Sequence, residues 1–227
     1  MREEAGVKHS AQPEAVFFDL DGTLVDSAPD MVEAMRRLRV EQGESADGAE
    51  SIGMVVSKGG RAMIRRGFPA ADEARVKALL PRFLDLYARA IAVHATLFPG
   101  MGDVLAGLED RGIPWGIVTN KPGALARSLL AALRLDTRCA ALVTGDCLPL
   151  KKPDPAPILR ACEIAGVAAA AGIYVGDDLR DIEAGRAAGM RTIAAGWGYL
   201  DGENPHAWGA DCVIESPAGL LAALGLD

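Results

Sequence analysis

Four short apolar runs, each closed by polar residues, set the strongest limit on what this chain can fold into: AVFFDLD at 15–21, WGIVTN at 115–120, ALVTGD at 141–146 and GIYVGDD at 172–178. All are too short for helices, and the first, third and fourth are rich in small or β-branched residues, as buried parallel strands tend to be. Helical patterns follow the last three, over 122–134, 155–165 and 179–189, while RTIAAG and DCVIE read as later strands. This alternation from about residue 100 onward predicts an α/β fold, an open parallel sheet with helices on both faces.

The stretch between the first run and that series has a different period. Met31, Ala34, Met35 and Leu38 recur at helical spacing, and so do Val76, Leu79, Leu80, Phe83 and Tyr87. Between them lies SKGGRAM, a glycine-bearing turn beside two cations. One crossover helix would suffice to join two strands, so residues 27–94 read as an all-helical insertion, with FPG at 98–100 marking the return to the sheet. The remainder, 15–26 and 95–227, forms the α/β core.

A chain of 227 residues, half of them hydrophobic, can bury a full core and still carry such an insertion. No apolar run approaches the roughly 20 residues of a membrane span. The polar start, 1–14, lacks the apolar centre of a secretory signal and reads as a flexible leader, which makes the expected compartment cytoplasmic. A net charge of −7 argues against a broad nucleic-acid surface but not against a small anionic substrate, since a metal and a few local cations reverse the sign inside a pocket. Cys139, Cys147, Cys162 and Cys212 are widely spaced and suit reduced thiols better than a zinc site. Monomer and homodimer are both open.

In an open parallel sheet, ligands bind at the carboxyl ends of the strands. The polar groups that close the runs therefore become one candidate site: Asp19 and Asp21, Thr119 and Asn120, and Asp177 with Asp178. Lys152, in KKPDP, precedes another helical pattern. Acids, a hydroxyl and a lysine in this pattern suit a hard cation beside a phosphate, and Mg2+ favours a few carboxylates with waters and phosphate oxygens. A carboxylate at Asp19 can attack phosphorus, and Asp21 can give a proton to the leaving oxygen and later take one from water. Gly22 lets the chain turn close to substrate, and Thr23 begins the next segment. Thr119 can donate to phosphate, with backbone N–H groups near Pro122 assisting. Asp177 and Asp178 are placed to complete the cation's coordination; Asp181 reads first as a helix-surface charge, with the cation's outer shell in reach, and Lys152 supplies positive charge to nucleophile and phosphoryl group.

Singly, each feature has a plainer reading: a turn at DG, a solvated GDD, an exposed KKP loop, a strand exit at VTNKP. Four such clusters in order, each ending a strand or opening a helix, favour the catalytic reading. His94 and His206 stand alone, so no Ser-His-Asp arrangement is suggested.

DLDGTLVD, VTN, KKPDP and GDDLRD resemble, in order and context, the four motifs of the haloacid dehalogenase (HAD) superfamily. The resemblance implies a Rossmann-like core with a helical cap inserted after the first strand. It also implies Asp19 as nucleophile, Asp21 as acid/base, Thr119 as phosphate ligand and Lys152 as the motif lysine. Mg2+ would be held by Asp19, the Asp21 carbonyl and Asp177. The chain looks like the phosphoglycolate phosphatase group, and segments such as SKGGRAM, VHATLFPGM and GWGYLDGENPHAWGAD resemble its N-acetylmuramic acid 6-phosphate phosphatase branch, which recycles peptidoglycan sugars. The implied partner is a small phosphorylated metabolite. Gly22, Thr23 and Asn120 join the expected phosphate and substrate site, and Lys58 and Arg61 of the cap turn are expected to face the substrate's carboxylate or hydroxyls. Two other readings remain: a phosphosugar mutase using the same aspartyl-phosphate, and a receiver-like phosphoacceptor module. The order of the acids, with Asp-x-Asp first and the acidic pair late, disfavours the second.

Overall fold

A computed structural model describes residues 12–226. Six strands form one parallel sheet in the order β5-β4-β1-β6-β7-β8: β1 (Ala15–Phe18), β4 (Trp115–Val118), β5 (Ala141–Val143), β6 (Gly172–Gly176), β7 (Arg191–Ala195) and β8 (Cys212–Ile214). All six were predicted, each a little longer than found. Pro13 is buried and Glu14 N donates to Ala171 O at 2.9 Å, so the chain is engaged with the core just before β1. The rest of the expected leader, 1–11, lies outside the described residues.

Strand periodicity decides how the sheet is covered. Val16 and Phe18 point to one face, where α4 (Met101–Asp110), α5 (Gly123–Ala132) and α8 (Leu220–Ala223) bury Leu105, Leu129 and Leu220. Ala15 and Phe17 point to the other, under α6 (Ala156–Ala165) and α7 (Leu179–Ala187). With both faces covered, the strands need no polar alternation, which is why they read as continuous apolar runs.

The insertion is helical, as expected: α1 (Ala28–Glu41), a 3-10 turn (Ala49–Val55), α2 (Gly60–Gly67) and α3 (Glu73–Arg89). Met35, Leu38, Ile52, Ile64, Phe83 and Tyr87 belong to a second buried cluster, which Leu125 of α5 joins from the core. A two-stranded antiparallel ribbon, β2 (Val25–Asp26) with β3 (Thr96–Leu97), carries the chain out to this cap and back. The buried Asp30 carboxylate fastens the return, accepting from Val93 N at 3.1 Å, His94 N at 2.8 Å and Ala95 N at 3.2 Å.

β1 lies between β4 and β6, where the strand order reverses, so the crevice at its carboxyl end is the expected ligand position. Phe18 is level with Ile117 on one side and Val175 on the other. That register brings Asp19, Thr119 and Asp177 to one edge of the sheet.

Candidate active site

Asp19, the first residue after β1, is held by its N–H, which donates to Val175 O at 2.9 Å. Its Oδ1 is buried and, apart from an ion pair with Lys152 Nζ at 2.9 Å, accepts no hydrogen bond. The Lys152 ammonium is almost wholly enclosed. It pairs with Asp181 Oδ1 at 2.6 Å and donates to Val118 O and Tyr174 Oη, each at 2.8 Å. Burial works against that charge, but the carboxylates of Asp181 and Asp19 outweigh it and hold the lysine well above its usual range.

Asp19, Asp177 and Asp181 each offer an oxygen within 4.8 Å of the others, all buried. The one ammonium among these three buried carboxylates, that of Lys152, leaves negative charge in excess. Burial, then the neighbouring Asp19 and Asp181, push Asp177 from 3.8 up to about 8. Asp181 rises to about 7 through burial and Asp19, with Lys152 pulling the other way. An unbonded buried oxygen in an all-carboxylate set fits a hard divalent ion. Asp181 Oδ1 pairs with Lys152, and its Oδ2 accepts from Asp178 N at 3.1 Å.

Asp177 is braced from three directions: Thr23 Oγ1 donates to its Oδ1 at 2.8 Å, while Ser57 Oγ at 2.6 Å and Tyr199 N at 2.9 Å donate to its Oδ2. Thr23, expected at the substrate, is instead fully buried and acts on this carboxylate. Gly22 likewise makes room for it. At φ +90°, a Cβ there would sit 2.1 Å from Asp177 Oδ2. Asp178 turns away from the cluster. It caps α7, accepts from Arg180 N at 2.9 Å and Nε at 2.7 Å, and faces Lys58 Nζ at 3.3 Å. Burial alone would raise its carboxyl, but the Arg180 guanidinium and the Lys58 ammonium hold it below the usual range.

Thr119 is buried at the end of β4, its Oγ1 accepting from Lys121 N at 3.1 Å, which leaves its hydrogen to donate into the crevice. Asn120 is a clamp: its side chain donates to Lys152 O at 3.0 Å and accepts from Lys152 N at 3.1 Å, fixing the lysine loop against the end of β4. Asp21 accepts from Ser27 Oγ at 2.5 Å and from the buried Lys121 Nζ at 2.9 and 3.1 Å. Lys121 was not singled out in the sequence, although it follows the VTN stretch directly. Ser57, just before Lys58, was missed for the same reason: nothing in its spacing points to the acids it meets.

Above these groups, core and cap enclose a cavity of about 360 Å³. Asp19, Asp21, Thr119 and Lys121 form part of its floor; Met31, Met63, Leu80, Phe83 and Leu84 give the cap side an apolar wall. Lys58, Arg61 and Arg180 also line it. Lys58 pairs with Glu203 and Arg61 with Glu73, so both expected substrate cations reach the cavity with acidic partners. The 196–209 loop braces Asp177 through Tyr199 N and holds the Thr23 backbone through Trp197 Nε1, which donates to Thr23 O at 3.0 Å.

Residues 16–195 match the family model described as haloacid dehalogenase-like hydrolase. The chain belongs to that family. It is 47% identical over 209 residues to a phosphoglycolate phosphatase of Xanthomonas campestris, covering 92% of this chain and 95% of that one. It is 44% identical over 208 residues to an N-acetylmuramic acid 6-phosphate phosphatase of Pseudomonas putida, covering 91% and 93%. Among solved structures, a predicted phosphoglycolate phosphatase from Haemophilus somnus superposes with a TM-score of 0.83 at 26% identity, covering 94% of this chain and 98% of that one. This HAD-like hydrolase is an enzyme of the phosphoric monoester hydrolase class.

Proposed function

We propose that this enzyme is a Mg2+-dependent phosphomonoesterase that works through an aspartyl-phosphate on Asp19, with N-acetylmuramic acid 6-phosphate as the favoured substrate. The observation that carries the mechanism is the Asp19 carboxylate, pinned beside a buried lysine and a second carboxylate that ordinary burial would forbid. Asp19, the Asp21 carbonyl and Asp177 would hold the ion. When bound, Mg2+ supplies charge neutralisation for the phosphate and its nucleophile.

The chain's own residues supply the rest. Thr119 Oγ1 donates to a phosphate oxygen, and Lys152 sets its positive charge 2.9 Å from the nucleophile's Oδ1. As Asp19 forms its bond to phosphorus, the P–O ester bond breaks, its electron pair stays on the departing oxygen, and Asp21 delivers the proton. Water then attacks the aspartyl-phosphate and Asp21 takes a proton back. The cap excludes bulk water meanwhile.

The size and lining of the cavity support the larger of the two substrate types. A two-carbon acid would leave the wall of Met63, Leu80, Phe83 and Leu84 unused. A sugar ring with acyl and lactyl groups would cover it, and its carboxylate would meet Arg61. A buried acid site opening on a cavity, in a chain with no helix long and apolar enough to span a membrane among the described residues, fits a small metabolite in the cytoplasm.

The test is phosphate release from N-acetylmuramic acid 6-phosphate, 2-phosphoglycolate and hexose phosphates, with Mg2+ and with EDTA. Release should require Mg2+ and be fastest on the muramic acid ester, and Asp19→Asn should fold normally and release none. Isomerised hexose phosphate without free phosphate would establish the mutase instead.

A further inference from the structure

Lys121 is a costly residue to have where it lies. Its ammonium is buried, and a buried ion pair adds little to stability over an apolar pair of similar volume. It is also fully partnered. The three donors of a lysine meet Asp21 Oδ1 at 2.9 Å, Asp21 Oδ2 at 3.1 Å and Tyr87 Oη at 2.9 Å. The first two partners belong to the core loop after β1, and the third stands on α3 of the cap.

The bonds on Asp21 are unequal. Oδ1 takes the shorter bond from Lys121 and another from Ser27 Oγ at 2.5 Å, whereas Oδ2 takes only the longer one. Oδ1 is therefore the anchored oxygen, and Oδ2 keeps spare lone-pair capacity on a residue that lines the cavity. The backbone N–H of Lys121 meanwhile donates to Thr119 Oγ1 at 3.1 Å, so one residue orients both the acid/base and the phosphate-binding hydroxyl.

We infer that Lys121 is a positioning residue: it locks Asp21 with Oδ2 available to the reacting oxygen, and Tyr87 completes the lock from the cap. The inference rests on the reading of Asp21 as the group that moves the proton. Two consequences separate it from a merely structural pair. Expelling an alkoxide needs a well-aimed proton, whereas expelling p-nitrophenolate does not. Hydrolysis of the aspartyl-phosphate needs the aimed base whatever the leaving group was.

The experiment compares Lys121→Met and Tyr87→Phe with the wild type, each loaded with Mg2+, on N-acetylmuramic acid 6-phosphate and on p-nitrophenyl phosphate. Stopped-flow absorbance follows nitrophenolate, and acid quench traps phosphorylated Asp19. K121M should lose roughly 10- to 100-fold in turnover of the sugar ester, part of the 10²–10⁴ that a proton-transfer group supplies. It should keep a near-wild-type nitrophenolate burst, followed by slow turnover and accumulated phosphoenzyme. Y87F should move both readouts the same way by about three- to tenfold, and it carries the test if K121M does not fold. Equal losses on both substrates, or no burst and no accumulation, would overturn the inference. A wild type that never carries phosphate on Asp19 would instead remove the mechanism beneath it.

Discussion

The carboxylate cluster makes a quantitative demand on pH and metal together. For a group moved from 3.8 to about 8, as Asp177 is, the native state holds a proton that the unfolded chain has released at neutral pH. Stability from this group is therefore greatest at low pH and falls as pH rises from about 4 towards 8, the opposite of a salt-bridged acid. At 1.36 kcal/mol per unit, the cost is roughly 3 kcal/mol at pH 6 and about 5 kcal/mol at pH 8. Asp181 shares the same excess of negative charge and is not added. The metal-free protein should thus lose about 2 kcal/mol between pH 6 and pH 8, or roughly 4–8 °C in Tm for a chain of this size. A divalent cation displaces those protons and removes the penalty, so the rise in Tm from 10 mM Mg2+ over EDTA should be larger at pH 8 than at pH 6. Differential scanning fluorimetry at the two pH values reads it directly, and Asp177→Asn should flatten the difference. An equal Mg2+ shift at both values, or one that survives in D177N, would refute the idea that this cluster is the metal site.

Lys152→Met leaves Asp19 and Asp181 facing each other without their cation; activity should fall at least about 100-fold and stability by roughly 3–5 kcal/mol in urea denaturation, the usual consequence of breaking a buried pair. Gly22→Ala forces a Cβ into the Asp177 carboxylate at a positive φ, so it should cost about 1–3 kcal/mol and weaken Mg2+ binding measured by calorimetry. Arg61→Ala, at the cavity mouth, should raise KM for N-acetylmuramic acid 6-phosphate about fivefold, one charge-assisted contact's worth, while sparing p-nitrophenyl phosphate; an unchanged KM ratio would remove Arg61 from substrate recognition.

Much of this architecture is legible because it rests on local periodicity. Buried parallel strands are uninterrupted apolar runs, and their polar ends mark the crevice, so Asp19, Thr119, Lys152 and Asp177 could be read in order. Groups whose role depends on facing another element could not. Asp177 and Asp178 look like a matched pair, yet Asp178 is turned to cap its own helix, and the residue that joins the cluster is Asp181, one helical turn on. Asn120 and Thr23 have the right chemistry for a phosphate but spend it elsewhere, Asn120 on the backbone of the Lys152 loop and Thr23 on the buried Asp177 carboxylate. The ribbon β2–β3 was unreadable for a simpler reason: two residues carry no period.

Two of the side chains around the acids come from the cap: Ser57 Oγ donates directly to Asp177, and Tyr87 holds Asp21 through Lys121 of the core. Arg180 of α7 returns the contact, donating to Ser57 O at 2.6 Å. Apolar contact crosses the seam through Leu125 of α5, but the bonds from Ser57 and Tyr87 are the ones that tie the cap's position to the acids. With the cap lifted, Asp177 loses one of its donors to Oδ2 and the Lys121 ammonium loses Tyr87. Under the proposed mechanism, a substrate that draws the cap down would also complete the alignment of Asp177 as metal ligand and Asp21 as proton-transfer group, and so would couple recognition at the apolar wall to the chemistry on the floor.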